Sequence, residues 1–411
     1  MDELIRSAMR DALGVEPTPA GLRWRVIDAV PMRRDRESSM PRLSFQWLGG
    51  VVAALLAIAI VAGLMYIGGL RPSQVQPRPL RMGGSLVSPE GVAIGPDGSV
   101  YVSDYVAGLV FRIDPRGLVS RFAGGGSGTD GPALEAHLLH PAGVVVDQSE
   151  NVYVAEQFSG DAILGSVQPG GIKRIDSAGQ IAPFALGGGA LRNPVGLAID
   201  HVGTLYFSDF GGNVGSLDRS GNITWLAVPI VGGPAPSPGY MAFDARGNLY
   251  VSDRAPVAEG EPGGCRILRM TPDKVFSIVA GTGTCGYSGD GGSATRAEIN
   301  DPNGIAFDSS GNLYFADSNN HRVRRIDSHG MITTIAGTGI AGSFGDNPTQ
   351  ASKAQLGYPF GLAIGPAGIL YIADASCACD HPTVPGNVRV MNLGNGLITT
   401  KLKGGIPFPA G

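Results

Sequence analysis

Four cysteines, six histidines and six recurring acids are the residues of this 411-residue chain with chemistry to offer. Cys377, Cys379, Asp380 and His381 form the run Cys-Ala-Cys-Asp-His, whose soft ligands suit zinc or copper. A lone cluster lacks the second ligand pair of a structural metal site. A local or partner disulfide is therefore the simpler expectation, and no metal and no cofactor is assigned. His137, His140, His201, His321 and His329 fall in loops, turns or strand starts, and none recurs at one repeat position as a shared metal set would. Nucleophile-elbow, phosphate-loop and metalloprotease patterns are absent, which argues against an enzyme. The net charge of −4 carries no clustered basic face, so no nucleic-acid partner is expected.

The acids Asp104, Glu156, Asp209, Asp253, Asp317 and Asp374 each close a repeated segment. Six such segments start at Pro89, Pro141, Pro194, Pro238, Pro302 and Pro359, and all place a tyrosine at the thirteenth position: Tyr101, Tyr153, Tyr206, Tyr250, Tyr314 and Tyr371. In the fifth, the apolar run Gly304 to Phe307 reads as a strand buried on both faces. Turn residues Asp308 to Asn312 follow, then strands over Leu313 to Ala316, His321 to Ile326 and Met331 to Ala336. A sheet of four antiparallel strands that is apolar on both faces is stable only when stacked on its neighbours. The expected fold is all-β, a six-bladed β-propeller of four-stranded blades over residues 84–404. Equivalent acids would then be spread around the ring, too far apart for one metal, and each is expected to cap its turn or pair with a third-strand arginine such as Arg322.

The runs Gly-Ile-Ala-x-Asp, Asn-Leu-Tyr-x-Ala-Asp, His-Arg-Val and Ile-Ala-Gly within Pro302 to Gly339 resemble the NHL repeat. Repeat three departs most, with Ser216-Leu217 where the family has Arg-x-Ile. The resemblance implies a propeller and does not choose an activity. Some six-bladed relatives are lyases that use zinc held by three histidines, so a metal-dependent lyase or hydrolase is the alternative reading. In layout the chain is also similar to the extracellular sensor of mycobacterial receptor-type Ser/Thr kinases, without a kinase domain.

From Trp47 to Leu70 the sequence is apolar apart from glycines, and no charge occurs between Arg42 and Arg71. Roughly 20 apolar residues cross a bilayer, so residues 43–70 are expected to form a single-pass anchor in the cell membrane. Arg33, Arg34, Arg36 and Arg42 precede it closely, which sets the N-terminus in the cytoplasm and the propeller outside. Residues 1–42 hold two short amphipathic patterns, faintly similar to the tails of membrane-bound anti-sigma-type proteins. Residues 71–83 are a Pro-rich stalk, and 405–411 a tail. In an oxidising compartment Cys265 and Cys285, on the same side of neighbouring strands, are expected to form a disulfide.

Short turns such as Ala245-Arg246-Gly247 recur between first and second strands and between third and fourth. The other connections are long: 157–170, 254–264 and 375–386 between second and third strands, and 125–140, 282–301 and 338–358 between blades. Strand direction brings both long types out on one face, and loops on a rigid scaffold are where ligands bind. The expected function is a membrane-tethered binding or sensing module for a peptide, glycan or envelope protein. Its candidate residues on that face are Tyr105, Phe158, Phe210, Arg254, Tyr287, Asp290, Asn319, Asn320, Phe344 and His381.

Overall fold

The structure is a computed structural model, which describes residues 86–157, 170–186, 191, 193–209, 212–218, 220–226, 228, 236–254, 264–343, 347–375 and 385–405. The expected anchor and stalk lie outside these residues. Among the described residues no helix is long and apolar enough to cross a membrane.

Blade 1 is β1 (Pro89–Ile94), β2 (Val100–Asp104), β3 (Leu109–Ile113) and β4 (Val119–Gly124). Blade 2 follows β5 (Gly131–Pro132) with β6 (Pro141–Val146), β7 (Val152–Glu156), β8 (Gly171–Ile175) and β9 (Gln180–Leu186). Blade 3 is β10 (Pro194–Ile199), β11 (Leu205–Asp209), β12 (Asn213–Leu217) and β13 (Ile223–Leu226). Blade 4 is β14 (Ser237–Phe243), β15 (Leu249–Arg254), β16 (Arg266–Met270) and β17 (Phe276–Ala280). Blade 5 is β18 (Pro302–Phe307), β19 (Leu313–Asp317), β20 (Arg322–Ile326) and β21 (Ile332–Ala336). Blade 6 follows β22 (Thr349–Gln350) with β23 (Tyr358–Gly365), β24 (Ile369–Ala375), β25 (Asn387–Asn392) and β26 (Leu397–Lys403). Each blade is a four-stranded antiparallel meander, and β5 and β22 add a short fifth strand outside β9 and β26.

The apolar faces meet their neighbours in six clusters, one at each junction between blades, so every sheet is covered on both sides as the periodicity requires. The ring closes where Val92, Val102 and Phe111 of blade 1 pack on Ala373, Val388 and Leu402 of blade 6. The segment Gly84 to Val87, just before β1, is where an extra closing strand could stand. Its described part, Leu86 and Val87, forms no strand, and the two carbonyls accept from Gly405 and Gly386 N–H.

The recurring tyrosine earns its place at the short turns. Asp308 Oδ1 accepts from Ser310 and Asn312 N–H, while Oδ2 takes Asn312 Nδ2 and the Tyr314 hydroxyl, the latter at 2.9 Å. Asp147 with Tyr153 and Asp244 with Tyr250 repeat this knot. It satisfies the turn's backbone donors locally and ties the second strand to it.

The long inter-blade loops depart from expectation. They leave the face where they begin and descend the outer clefts, reaching the short turns at the opposite end: Ala133, Ala294 and Ala351 N–H donate to Gly179, Gly330 and Gly396 carbonyls. A 3-10 turn then returns each chain, and Ala133, Ala136 and Leu138 insert between blades 1 and 2. Ala294, Ala297 and Ile299 do so between blades 4 and 5, and Ala351, Ala354 and Leu356 between 5 and 6. These loops are wedges that fill the widening periphery of the ring. One face is therefore not built up by all the long loops.

Candidate functional site

The inner strands β1, β6, β10, β14, β18 and β23 surround the axis. Each carries a register irregularity after its opening proline. The bulge drives the carbonyl of the second repeat residue at the third residue of the preceding blade. A methyl group at Gly91, Gly143, Gly196, Gly304 or Gly361 would collide with the carbonyl of Ala142, Val195, Gly239, Phe360 or Glu90 respectively. Blade 4 breaks the series: Tyr240 stands where the other blades have glycine.

The channel mouth lies where the inner strands begin and the second strands end. Glu90 occupies the axial second place of its repeat, where other blades carry Ala142, Val195, Gly239, Asn303 and Phe360. Burial, with the Asp104 charge adding and Arg254 opposing, pushes the Glu90 carboxyl up to about 8, so it is protonated at neutral pH. Arg254, at the end of β15, crosses Gly239 and pairs with Asp301 of blade 5 at 3.2 Å. The Tyr358 hydroxyl of blade 6 donates to the other Asp301 oxygen. Asn303 Nδ2 is within bonding distance of Asp301 O, Asp301 Oδ2 and Ser318 Oγ, and Ser318 Oγ donates to Pro359 O. Opposite, Tyr105 stacks on His140 with centroids 4.6 Å apart.

Two features mark this mouth. His140 and Asp301 hold φ of 41° and 51°, immediately before Pro141 and Pro302, a backbone region costly for residues with side chains. His140 Nδ1, the Tyr240 hydroxyl and Asn303 Oδ1 are buried atoms with no hydrogen-bond partner in the protein. Such groups cost about 1–3 kcal/mol each when left unmet.

Of the residues singled out from sequence, Tyr105 and Arg254 stand at the mouth. Asn319 and Asn320 sit in the turn joining β19 to β20, where Asn320 Nδ2 bonds Asp317 Oδ1 and Gly286 O. Tyr287 and Asp290 belong to the wedge between blades 4 and 5. Arg322 lies 3.9 Å from the Tyr287 ring centre, the Tyr287 hydroxyl reaches Asp290 and Thr334, and Asp290 takes a 2.7 Å bond from Arg324. Phe158, Phe210, Phe344 and His381, like Cys377 and Cys379, lie outside the described residues. Among the described residues, no three His, Cys, Asp or Glu approach closely enough to hold a metal ion.

The recurring acids serve the scaffold. Asp104 accepts from Val87 and Ser88 N–H, Glu156 from Leu139, Asp317 from Asn300 and Asp374 from Gly357, which fastens the second strand to the chain entering its own blade. Their third-strand cations are Lys173, Arg266, Arg324 and Arg389. Arg322 is not among them: its guanidinium instead bonds the Asn320 and Thr338 carbonyls. Burial pushes Asp317 up to about 6 and Asp374 to about 7, against the Asn300 and Gly357 N–H groups and the arginines that pull them down. Cys265 and Cys285 form a disulfide, Cα atoms 5.3 Å apart, linking the start of β16 to the wedge.

Away from the mouth, a concavity of about 610 Å³ opens at the short-turn end between blades 2 and 3. Only residues 187–193 join those blades. Its carboxylates Asp147, Asp200 and Asp218 already accept from their own turns.

Sequence reasoning missed Glu90, Tyr240, Asp301 and Asn303. The signal was present as departures from the repeat: a polar residue in the axial second place, and a tyrosine in the glycine place.

A family model described as the Teneurin NHL domain matches residues 190–344. Teneurin-3 of Danio rerio is 32% identical over 239 residues, covering 55% of this chain and 8% of that protein. Teneurin-1 of Homo sapiens is 30% identical over 258 residues, covering 58% and 9%. The chain thus spans under a tenth of the length of these relatives. Among solved structures, an auxiliary nutrient binding protein from Bacteroides thetaiotaomicron superposes with a TM-score of 0.54 at 17% identity, covering 71% of this chain and 67% of that one, a likeness of fold. Repeat, ring and relatives agree, and the chain is an NHL-repeat protein whose repeats form a six-bladed β-propeller.

Proposed function

We propose that this propeller is a binding module for a peptide, glycan or envelope protein, and that its ligand approaches the face where the axial mouth and the second-to-third strand connections lie. The carrying observation is the contrast in how polar groups are used. Each strand-end acid meets a backbone N–H or a cation, Asp317 Oδ2 through its 3.5 Å ion pair with Arg324 alone, whereas Asn303 Oδ1 and the Tyr240 hydroxyl at the mouth are buried with neither hydrogen bond nor ion pair. Polar groups kept unmet on a rigid scaffold are poised for a ligand to satisfy. In this reading Trp47 to Leu70 tethers the module to the membrane, with the propeller outside.

The test probes the full chain against arrays of wall glycans, peptides and envelope proteins. Replacing residues 255–263 and 376–384 by short Gly-Ser turns should abolish capture, whereas Tyr287→Phe, on the flank, should leave it intact. Capture indifferent to the loop exchange would overturn the proposal.

A further inference from the structure

At the axial mouth two unpartnered polar atoms accompany an acid that has no hydrogen bond among the described residues. Asn303 is wholly buried, and its Nδ2 is held by three acceptors, which fixes the amide so that Oδ1 points away from them with no donor. Tyr240, 8% exposed, brings its unpartnered hydroxyl to the axis from the one blade lacking the inner glycine. The charges of Arg254 and Asp301 cancel in their own pair. Among the described residues nothing hydrogen-bonds Glu90, and burial outweighs the opposing Arg254 charge, which Asp301 already pairs, so Glu90 holds its proton.

An anion entering here would meet the acceptors Asn303 Oδ1 and Asp301, and any charge on Glu90 would repel it, whereas a cation can draw the proton off Glu90 and leave an acceptor-only carboxylate. A cationic nitrogen brings the missing donors and the missing charge together. Neighbouring inner strands close to glycine–carbonyl contact at five of the six junctions, so a group can enter only along the axis, end-on, as an unbranched stem does.

We infer that the axial mouth binds a primary ammonium group carried on an unbranched stem, with Glu90 as its counter-charge and Asn303 Oδ1 and the Tyr240 hydroxyl as hydrogen-bond partners. This rests on the reading of that face as the binding face and names the chemistry it recognises. The strained His140 and Asp301 hold the rim that frames the group.

Binding then displaces the Glu90 proton. The groups facing Glu90 are Asp104 and Tyr105 at the end of β2, Tyr240 on β14 and Arg254 on β15, with His140, Asp301 and Tyr358 at the rim and Asp374 on β24. Of these, Asp104, Asp301 and Asp374 already have hydrogen-bond partners in the protein.

The test is calorimetric titration of the full chain with n-butylamine at pH 7 in phosphate and in MOPS, buffers of different ionisation enthalpy. Saturable binding should release close to one proton, roughly nine-tenths for a group with a pKa about 8, and release should vanish by pH 9. Isosteric 1-butanol and butyrate should bind at least about tenfold more weakly. Glu90→Gln should abolish proton release and cost about tenfold or more in affinity. Tyr240→Phe, which removes one oxygen only, should weaken binding while keeping the release, and it carries the test if Glu90→Gln does not fold. Equal binding of 1-butanol, release that persists in Glu90→Gln, or no saturable binding of butylamine would each overturn the inference. If the loop-dependent capture survives such a result, the amine site alone is refuted.

Discussion

At the scale of single residues, this ring depends on what its buried charges touch. Arg324 is wholly buried and serves two masters: it pairs with Asp317 of its own blade and bonds the Ser288 and Glu298 carbonyls of the wedge. Glu90 has no such partner, and its titration should be visible in the stability of the whole protein. An acid whose pKa is raised on folding binds its proton more tightly in the native state. Its contribution is therefore full below the unfolded value of 4.5 and lost as the pH climbs through about 8. Asp317 and Asp374 act in the same direction, so the wild type alone does not isolate it. Denaturation profiles of wild type and Glu90→Gln across pH 5–9 should diverge, the wild type losing on the order of a few kcal/mol more as the pH rises. Parallel profiles would show that Glu90 ionises as easily folded as unfolded.

At the scale of elements, the informative unit is the wedge. A propeller blade broadens outward, and a plain four-stranded blade leaves a gap at the rim that solvent would enter. The Ala-x-x-Ala-x-Leu/Ile pattern fills it with two small residues where backbones crowd and one larger residue where room remains; burying that larger side chain is worth about 1.5–3 kcal/mol. Between blades 4 and 5 the wedge is also covalently held, to blade 4. Cys265–Cys285 closes a loop of sequence separation 20, so reduction or Cys285→Ser should lower unfolding free energy by about 3 kcal/mol. Denaturant titration with and without reductant measures this. An unchanged midpoint would mean that the wedge and the start of β16 remain together in the unfolded chain.

At the scale of the whole molecule, closure is set by the axis. At five of the six junctions the inner strands come together because a bulge aims a carbonyl at a residue with no side chain. Gly143→Ala should therefore cost about 3 kcal/mol or more, since neither Val195 O nor the strand behind it can yield without shifting a blade. Thermal unfolding of the variant checks it, and an unchanged melting temperature would refute so close an approach. Glycine holds that place in every repeat but the fourth, where Tyr240 stands, and only the packed ring shows why.

Blade number, strand order and the Cys265–Cys285 pair could be read from the chain alone, because local patterns of apolar residues and turns repeat six times and each repeat imposes the same geometry on its segment. The destination of the long loops could not. Strand direction dictates where a loop emerges, but whether it stands in solvent or folds back is decided by the gap beside it, and that gap exists only once two blades are packed. For the same reason Arg324 displaced Arg322 as the partner of Asp317: the choice depends on which side of β20 faces the strand-end acid. Glu90, Tyr240, Asp301 and Asn303 lie up to 213 positions apart in the chain. Nothing local relates them, and only closure of the ring brings them to a common mouth, where burial gives each its chemistry.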